Sequence, residues 1–155
     1  MTPIVCFTDG SAIFNGKPNC RASYAVVWPE HPHLNCAEEI PPPASNNRGE
    51  FYGAIKAMQI APTNRNDNDN ELYIYTDSKL LIKSMTEWIH KWKKNNWLKA
   101  DGTPVLNQDL LEIMYDLVQK RKTKFIYVQA HTSNTTFEAE NNRLADKLAK
   151  QALLK

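Results

Sequence analysis

Apolar and polar positions along this chain fall into three early extended runs, followed by strand and helix patterns in alternation. Ile4 to Thr8 is a short, nearly continuous apolar run and predicts a strand. Arg21 to Trp28, rich in Tyr, Val and Trp, predicts a second strand, and His33 to Ile40 a weaker third. Asn15-Gly16-Lys17-Pro18 and Pro29 to Pro32 carry turn residues, so the three strands are expected as antiparallel neighbours. Pro41-Pro42-Pro43 ends the third, because proline cannot donate to a ladder.

Ser45, Asn46 and Asn47 are helix-capping residue types, and Phe51, Ile55 and Met58 follow at helical spacing, which predicts a helix to about Ile60. Thr63 to Asn70 reads as an Asn/Asp-rich surface loop and Leu72 to Thr76 as a fourth strand. Asp77 or Ser78 then opens a helix to about Met85, and Trp88 to Lys94 continues helical before a loop over Asn95 to Pro104. Asn107 to Gln119 is amphipathic, with Leu110, Met114, Leu117 and Val118 on one side. Phe125 to Gln129 predicts a fifth strand and Glu138 to Leu153 a last helix. This order predicts an α/β fold. Its five-stranded mixed sheet is an antiparallel meander extended by parallel strands, with helices on both faces.

At 155 residues the chain suits one domain, taken as 1–155, with a sizeable core. A hydrophobic share of 42% and a charged share of 23% fit a soluble globular protein, and no apolar run is long enough to span a membrane. Met1-Thr2-Pro3-Ile4-Val5 lacks the basic flank and long apolar stretch of a signal peptide. Cys6, Cys20 and Cys36 are odd in number and lack metal-ligand spacing, so they read as free thiols in a reducing, cytoplasmic setting. Net charge is only +2, yet basic residues cluster from Trp88 to Lys99 and over Lys120-Arg121-Lys122-Thr123-Lys124. Such patches can track a phosphate backbone although the total charge is nearly balanced.

Four carboxylates stand in distinctive settings: Asp9 in Phe-Thr-Asp-Gly-Ser, Glu50 in Asn-Asn-Arg-Gly-Glu, Asp77 in Tyr-Thr-Asp-Ser-Lys and Asp146 in Asn-Arg-Leu-Ala-Asp. Singly, each reads more readily as a turn or cap residue, or as an acid favoured by a helix dipole. Jointly they are more informative. If the first and fourth strands are parallel neighbours, Asp9 and Asp77 both leave the sheet at its C-terminal edge, where open α/β sheets bind ligands. Glu50, in a first helical turn, can point at the same edge, and Asp146 shares a helix face with Asn142 and Glu138. Crowded carboxylates repel, and divalent cations relieve that repulsion; an oxygen-only set selects Mg²⁺ or Mn²⁺ over zinc.

Thr8-Asp9-Gly10-Ser11, Asn46-Asn47-Arg48 with Glu50, Thr76-Asp77-Ser78, His131, and Asn142 with Asp146 together resemble the type 1 ribonucleases H. Trp88-Ile89-His90-Lys91-Trp92-Lys93-Lys94 with Trp97 resembles the basic protrusion of the free-standing members, and the resemblance runs from Ile4 to about Ala152. It implies the RNase H-like three-layer fold and endonucleolytic hydrolysis of the RNA strand of an RNA–DNA hybrid, leaving 5′-phosphate and 3′-hydroxyl ends. It implies further that Asp9, Glu50, Asp77 and Asp146 hold two Mg²⁺ ions, with Mn²⁺ able to substitute, and that His131 on a polar loop assists proton handling or product departure. Asn15, Asn46 and Asn47 would then line the minor groove, with Ser45 beside a DNA phosphate. Trp88, Trp92 and Trp97 with Lys93 and Lys94 would grip the DNA strand, although tryptophans at such spacing are also what an amphipathic helix buries, so some of these rings are expected in the core and the lysines on the nucleic acid; Asn142 would lie near the substrate. The expected partner is the hybrid alone, bound by a monomer with no membrane association and no obligatory protein partner.

Lys79 stands where many members carry Gln and Arg143 where many carry Glu, and Gly49 looks like a weak point at a helix start. Asp67-Asn68-Asp69-Asn70-Glu71 hints at a calcium loop but lacks the required Gly and later Glu, so it reads as solvated loop. Asn134-Thr135-Thr136 is a sequon expected to stay unmodified, and His31-Pro32-His33 reads as a turn. Two other functions compete: a hybrid-binding module without catalysis, and a junction-resolvase or transposase nuclease core. The intact acid set argues against the first, and the Trp/Lys segment and Asn46-Asn47 argue against the second.

Overall fold

The computed structural model describes residues 3–62 and 71–154. The expected Asn/Asp-rich loop at 63–70 and most of the calcium-loop decoy therefore lie outside the described residues. A single five-stranded sheet has the order β3-β2-β1-β4-β5. Its strands are β1 (Ile4–Ile13), β2 (Arg21–Val27), β3 (Cys36–Glu39), β4 (Leu72–Thr76) and β5 (Thr123–Tyr127). β1, β2 and β3 form an antiparallel meander, while β4 runs parallel to both β1 and β5. This is the mixed sheet that the strand order predicts.

β1 is longer than expected and runs straight through Asp9. The Thr-Asp-Gly-Ser segment looks like a turn by composition, but β2 pairs with β1 from Phe7 to Ile13 and keeps it extended. β4 pairs only with Ile4 to Phe7. Two further steps of that register bring Asp9 level with Asp77, where β4 stops. Asp9 therefore sits beside the C-terminal end of β4 without leaving the sheet itself. β3 begins at Cys36 because Pro32–Leu34 forms a 3-10 turn, and β5 begins two residues early, at Thr123.

Helix α1 (Asn46–Ile60) covers one face of the sheet and α5 (Phe137–Ala152) the other. Cys6, Val26, Trp28, Leu72 and Ile74 face Ala57 of α1, while Phe7, Ala25 and Val27 pack with Ala145 and Ala149 of α5. Alternate residues of one strand thus feed opposite layers, as the period of a strand requires. A second apolar cluster joins Phe51 and Ile55 of α1 to α2 (Lys79–Lys83), α3 (Ile89–Lys94) and α4 (Gln108–Lys120). Between α2 and α3 the helix widens to a π-turn over Ser84–Trp88.

Gly49 is no weak point. A Cβ there would meet the Ser23 carbonyl oxygen at 2.5 Å, and a Cβ on Gly10 would meet the Glu50 backbone nitrogen at 2.6 Å. The two glycines let the first turn of α1 settle directly on β1 and β2. That contact carries Glu50 to the Asp9 end of the sheet. Gly10→Ala is expected to destabilise by roughly 1–3 kcal/mol, because backbone rather than a flexible side chain must move. Urea unfolding measures the loss, and an unchanged midpoint would contradict the close approach.

Candidate active site

Three elements deliver one carboxylate each to a single spot: Asp9 from β1, Glu50 from the start of the second turn of α1, and Asp77 from just beyond β4. One oxygen from each lies within 4.8 Å of the others. Ser45 caps α1 by accepting from the Arg48 amide at 3.0 Å, which starts the helix at Asn46, so that Glu50 opens its second turn rather than lying in the first as the sequence suggests. Ser78 caps α2 in the same way, accepting from the Leu81 amide at 3.1 Å, so the chain turns away right after Asp77.

Asp9 and Glu50 are buried, at 3% and 5% exposure, with no cation of the protein beside them among the described residues. Burial is the main cause that pushes Asp9 up to about 10 and Glu50 up to about 8; mutual repulsion with Asp77 and Asp146 adds to both. Asp77 is raised too, chiefly by burial, although the Asn142 amide and the nearby His131 pull it back. Without a cation the cluster keeps protons that ordinary carboxylates would have lost.

Asn142 is 3% exposed, and its Nδ2 donates to Asp77 Oδ2 at 3.4 Å. Its own Oδ1 and the Glu50 Oε2 are buried without a partner. Orphaned acceptors beside three raised carboxylates fit an oxygen-seeking divalent cation, since a cation would satisfy the first and neutralise the second. Asp146 stands at the rim. Its charge acts on the other three, while its Oδ2 pairs with Lys150 at 3.1 Å on the same helix.

Around the cluster, His131 is exposed, with a left-handed φ of 55°. Asn15 Oδ1 accepts from the Asn46 amide at 2.9 Å, joining the end of β1 to the start of α1; Asn15, Asn46 and Asn47 are all exposed there. In the Trp/Lys segment Lys91, Lys93 and Lys94 are exposed, and Trp88 and Trp92 are half-buried against each other with ring centres 5.6 Å apart. Trp97 corrects an expectation. It is 6% exposed, belongs to the apolar cluster of α1 and α4, and stacks edge-on with Tyr115. Burying the indole anchors the segment, so this ring cannot grip a ligand from outside.

Arg48 entered the sequence reading only as part of the Asn46-Asn47-Arg48 motif, and its role was not read there. Its guanidinium donates to Pro43 O at 2.9 Å, to Asn107 Oδ1 at 3.3 Å, and to both carboxylate oxygens of Asp109 at 2.9 and 2.7 Å. This fork ties the start of α1 to the start of α4 and holds Asp109 below the usual carboxylate range. The only signal in the sequence is an arginine where a helix start would favour an acid, and its partner lies 61 residues away. Tyr127 was missed as well: exposed at the end of β5, it carries the Lys79 ammonium 5.4 Å from its ring centre.

A model of the RNase H family matches residues 1–154. Ribonuclease H1 of Homo sapiens is 36% identical over 150 residues, which cover 96% of this chain and 51% of that protein. The chain thus spans about half the length of the mammalian relatives. Ribonuclease H of Clostridium botulinum is 30% identical over 154 residues, covering 99% of this chain and 97% of that one. Among solved structures, the foamy viral protease-reverse transcriptase in complex with dsDNA shares the fold with a TM-score of 0.77 at 22% identity, covering 97% of this chain and 94% of that chain. The RNase H domain of PFV does so with a TM-score of 0.72 at 22% identity, covering 96% and 93%. Because the family pattern covers every element that delivers Asp9, Glu50 and Asp77 to one point, this chain belongs to the RNase H family.

Proposed function

We propose that residues 1–155 act as one catalytic domain that hydrolyses the RNA strand of RNA–DNA hybrids, with Mg²⁺ as cofactor and 5′-phosphate and 3′-hydroxyl ends as products. The observation that carries this reading is the meeting of Asp9, Glu50 and Asp77 with an orphaned Glu50 oxygen among them. Relatives named Ribonuclease H at 30–36% identity support it, as does the solved LC11-RNase H1 in complex with RNA/DNA hybrid as a neighbour in fold.

Asp9, Glu50 and Asp77, with Asp146 at the rim, would hold the divalent cations. A divalent cation held there would supply a lowered pKa for the attacking water and charge stabilisation for the departing 3′-oxygen. Asn142 holds Asp77 in place through its amide nitrogen. Asn46 and Asn47 with their side-chain amides, and Asn15 with its Nδ2, line the entry to α1, where 2′-hydroxyls and minor-groove edges can be read. Ser45 keeps its hydroxyl proton for a DNA phosphate while its oxygen caps the helix. His131 handles a proton or eases product departure from the rim.

Lys93 and Lys94, beside Trp88 and Trp92, neutralise DNA phosphates. Replacing both lysines with Ala is expected to weaken hybrid binding and to lower the salt slope of log affinity by roughly 1–2, one for each phosphate that is no longer neutralised. A slope equal to that of the unaltered protein would place the DNA strand elsewhere. The protein works as a monomer in a cytoplasmic, reducing setting. All three cysteines are free, and no described helix is long and apolar enough to cross a membrane.

The test is cleavage of a labelled hybrid beside single-stranded RNA, duplex RNA and duplex DNA. Hybrid-only cleavage that stops with EDTA is expected. A folded protein that binds hybrid but cuts nothing with Mg²⁺ or Mn²⁺ would instead be a binding module.

A further inference from the structure

His131 lies on a connection, residues 128–136, that bridges β5 and α5 with no regular structure. Val128 is still tied to the sheet, its amide donating to Thr76 O at 2.9 Å, and Thr136 caps α5 through the Ala139 amide at 3.2 Å. Between these ends the connection makes one internal bond, from the Asn134 amide to Thr132 Oγ1 at 3.2 Å. Among the described residues, one side chain from outside it bonds to its middle: Arg143 Nη1 donates to the Thr132 carbonyl at 2.8 Å.

That bond falls one residue beyond His131, whose left-handed φ of 55° is uncommon outside glycine, although histidine is among the residues that adopt it more readily. Arg143 is well placed to enforce it. It sits on α5 between Asn142, which binds Asp77, and Asp146 at the rim. No carboxylate pairs with it among the described residues, because Asp146 is engaged by Lys150. Arg143 is half-buried on α5 and its N–H donors lie in one plane, so the bond ties the Thr132 carbonyl to a well-formed helix from a defined side.

We propose that Arg143 is a positioning residue: by clamping the Thr132 carbonyl to α5, it holds His131 over the rim of the carboxylate cluster and so governs turnover rather than hybrid binding. This rests on the nuclease reading, and it gives Arg143, which departs from the glutamate common in the family, a task of its own.

Two measurements on the full chain test it. In the metal-free protein, Arg143→Ala is expected to drop the backbone order parameters of residues 131–134 from the rigid range to below about 0.6. Arg143→Lys, which keeps one donor, should lie between. In steady-state cleavage, Arg143→Ala is expected to lower kcat about tenfold with KM within about twofold, the size typical of losing an orienting partner. Made in a His131→Ala background, the same change should have no further effect. Unchanged order parameters would overturn the clamp. Effects of Arg143→Ala and His131→Ala that multiply, or a loss confined to KM, would overturn its link to His131. The order parameters need no cleavage, so an unaltered protein that fails to cut hybrid would refute the nuclease reading and leave the clamp separately decided.

Discussion

Asp77→Asn is expected to lower hybrid cleavage roughly 10²–10³-fold, the scale seen when a preorganised electrostatic group at a reacting centre is lost. The substitution is nearly isosteric. Asn at this position can still accept from Asn142 Nδ2 through its own oxygen, so the bond that orients the side chain survives. The variant loses a negative charge and one carboxylate oxygen that the proposal assigns to a cation. Hybrid affinity should stay within about twofold to threefold, because Asn46, Asn47, Lys93 and Lys94, which the proposal assigns to the nucleic acid, belong to other elements. Gel-based cleavage with excess Mg²⁺, beside affinity measured in Ca²⁺, separates the two quantities. Retained turnover would remove Asp77 from the reaction. Lost affinity would mean that the carboxylate shapes the substrate groove and that its role in chemistry is secondary.

How far such an experiment could be planned from sequence depends on the kind of contact. The strands that position Asp9 and Asp77 were readable because apolar runs bounded by turn residues report local extension, and two parallel strands in register bring their ends level. The N-cap at Ser45 was readable for the same local reason. The extent of β1 was not. Gly10 and Ser11 suit a turn, and only pairing with β2, encoded a dozen residues later, keeps them extended. The role of Gly49 was also hidden, because a helix-propensity argument treats glycine as a loss and cannot see a carbonyl of another strand 2.5 Å from the missing Cβ.

The tryptophans show the same limit from another side. Trp88, Trp92 and Trp97 carry identical chemistry within ten positions, yet the first two keep an exposed edge while the third is sealed in the core. Spacing ranks Trp88 and Trp92 together on one helix face. It says nothing of Trp97, which follows the end of α3 in a left-handed conformation with φ of 63° and turns its ring inward. Arg48 and Arg143 were unreadable for the reason that Trp97 was: each acts through a partner supplied by tertiary structure, a carboxylate in one case and a loop carbonyl in the other.

Between pH 5 and pH 8 the metal-free protein is expected to lose stability as the pH rises, and saturating Mg²⁺ is expected to reverse most of that loss. In the unfolded chain Asp9 and Glu50 titrate as ordinary carboxylates near pH 4. In the folded protein burial and mutual repulsion push them up to about 10 and about 8. Groups raised by folding contribute stability that is fully present below their unfolded pKa and is lost as pH rises through the folded value. Each proton the folded cluster retains therefore gives a slope of roughly 1.4 kcal/mol per pH unit. Because the two carboxyls lie together and deprotonate in sequence, one retained proton counted over the three pH units gives a total loss on the order of 4 kcal/mol. Asp77, raised by the same burial, adds a loss of the same sign. Asp109 and Glu39, held low by arginine partners, have delivered their stability before pH 5, and the buried Cys6 thiol, pushed up by burial, matters only above the ordinary thiol range. Urea unfolding at pH 5, 6, 7 and 8, with EDTA or with Mg²⁺, measures both slopes. Asp9→Asn removes one raised carboxyl, so it should stabilise the metal-free protein at pH 8, flatten its pH dependence and abolish the gain from Mg²⁺. A metal-free protein whose stability is flat across this range would show that the cluster is already neutralised from within, and the case for a cation at Asp9, Glu50 and Asp77 would fall with it.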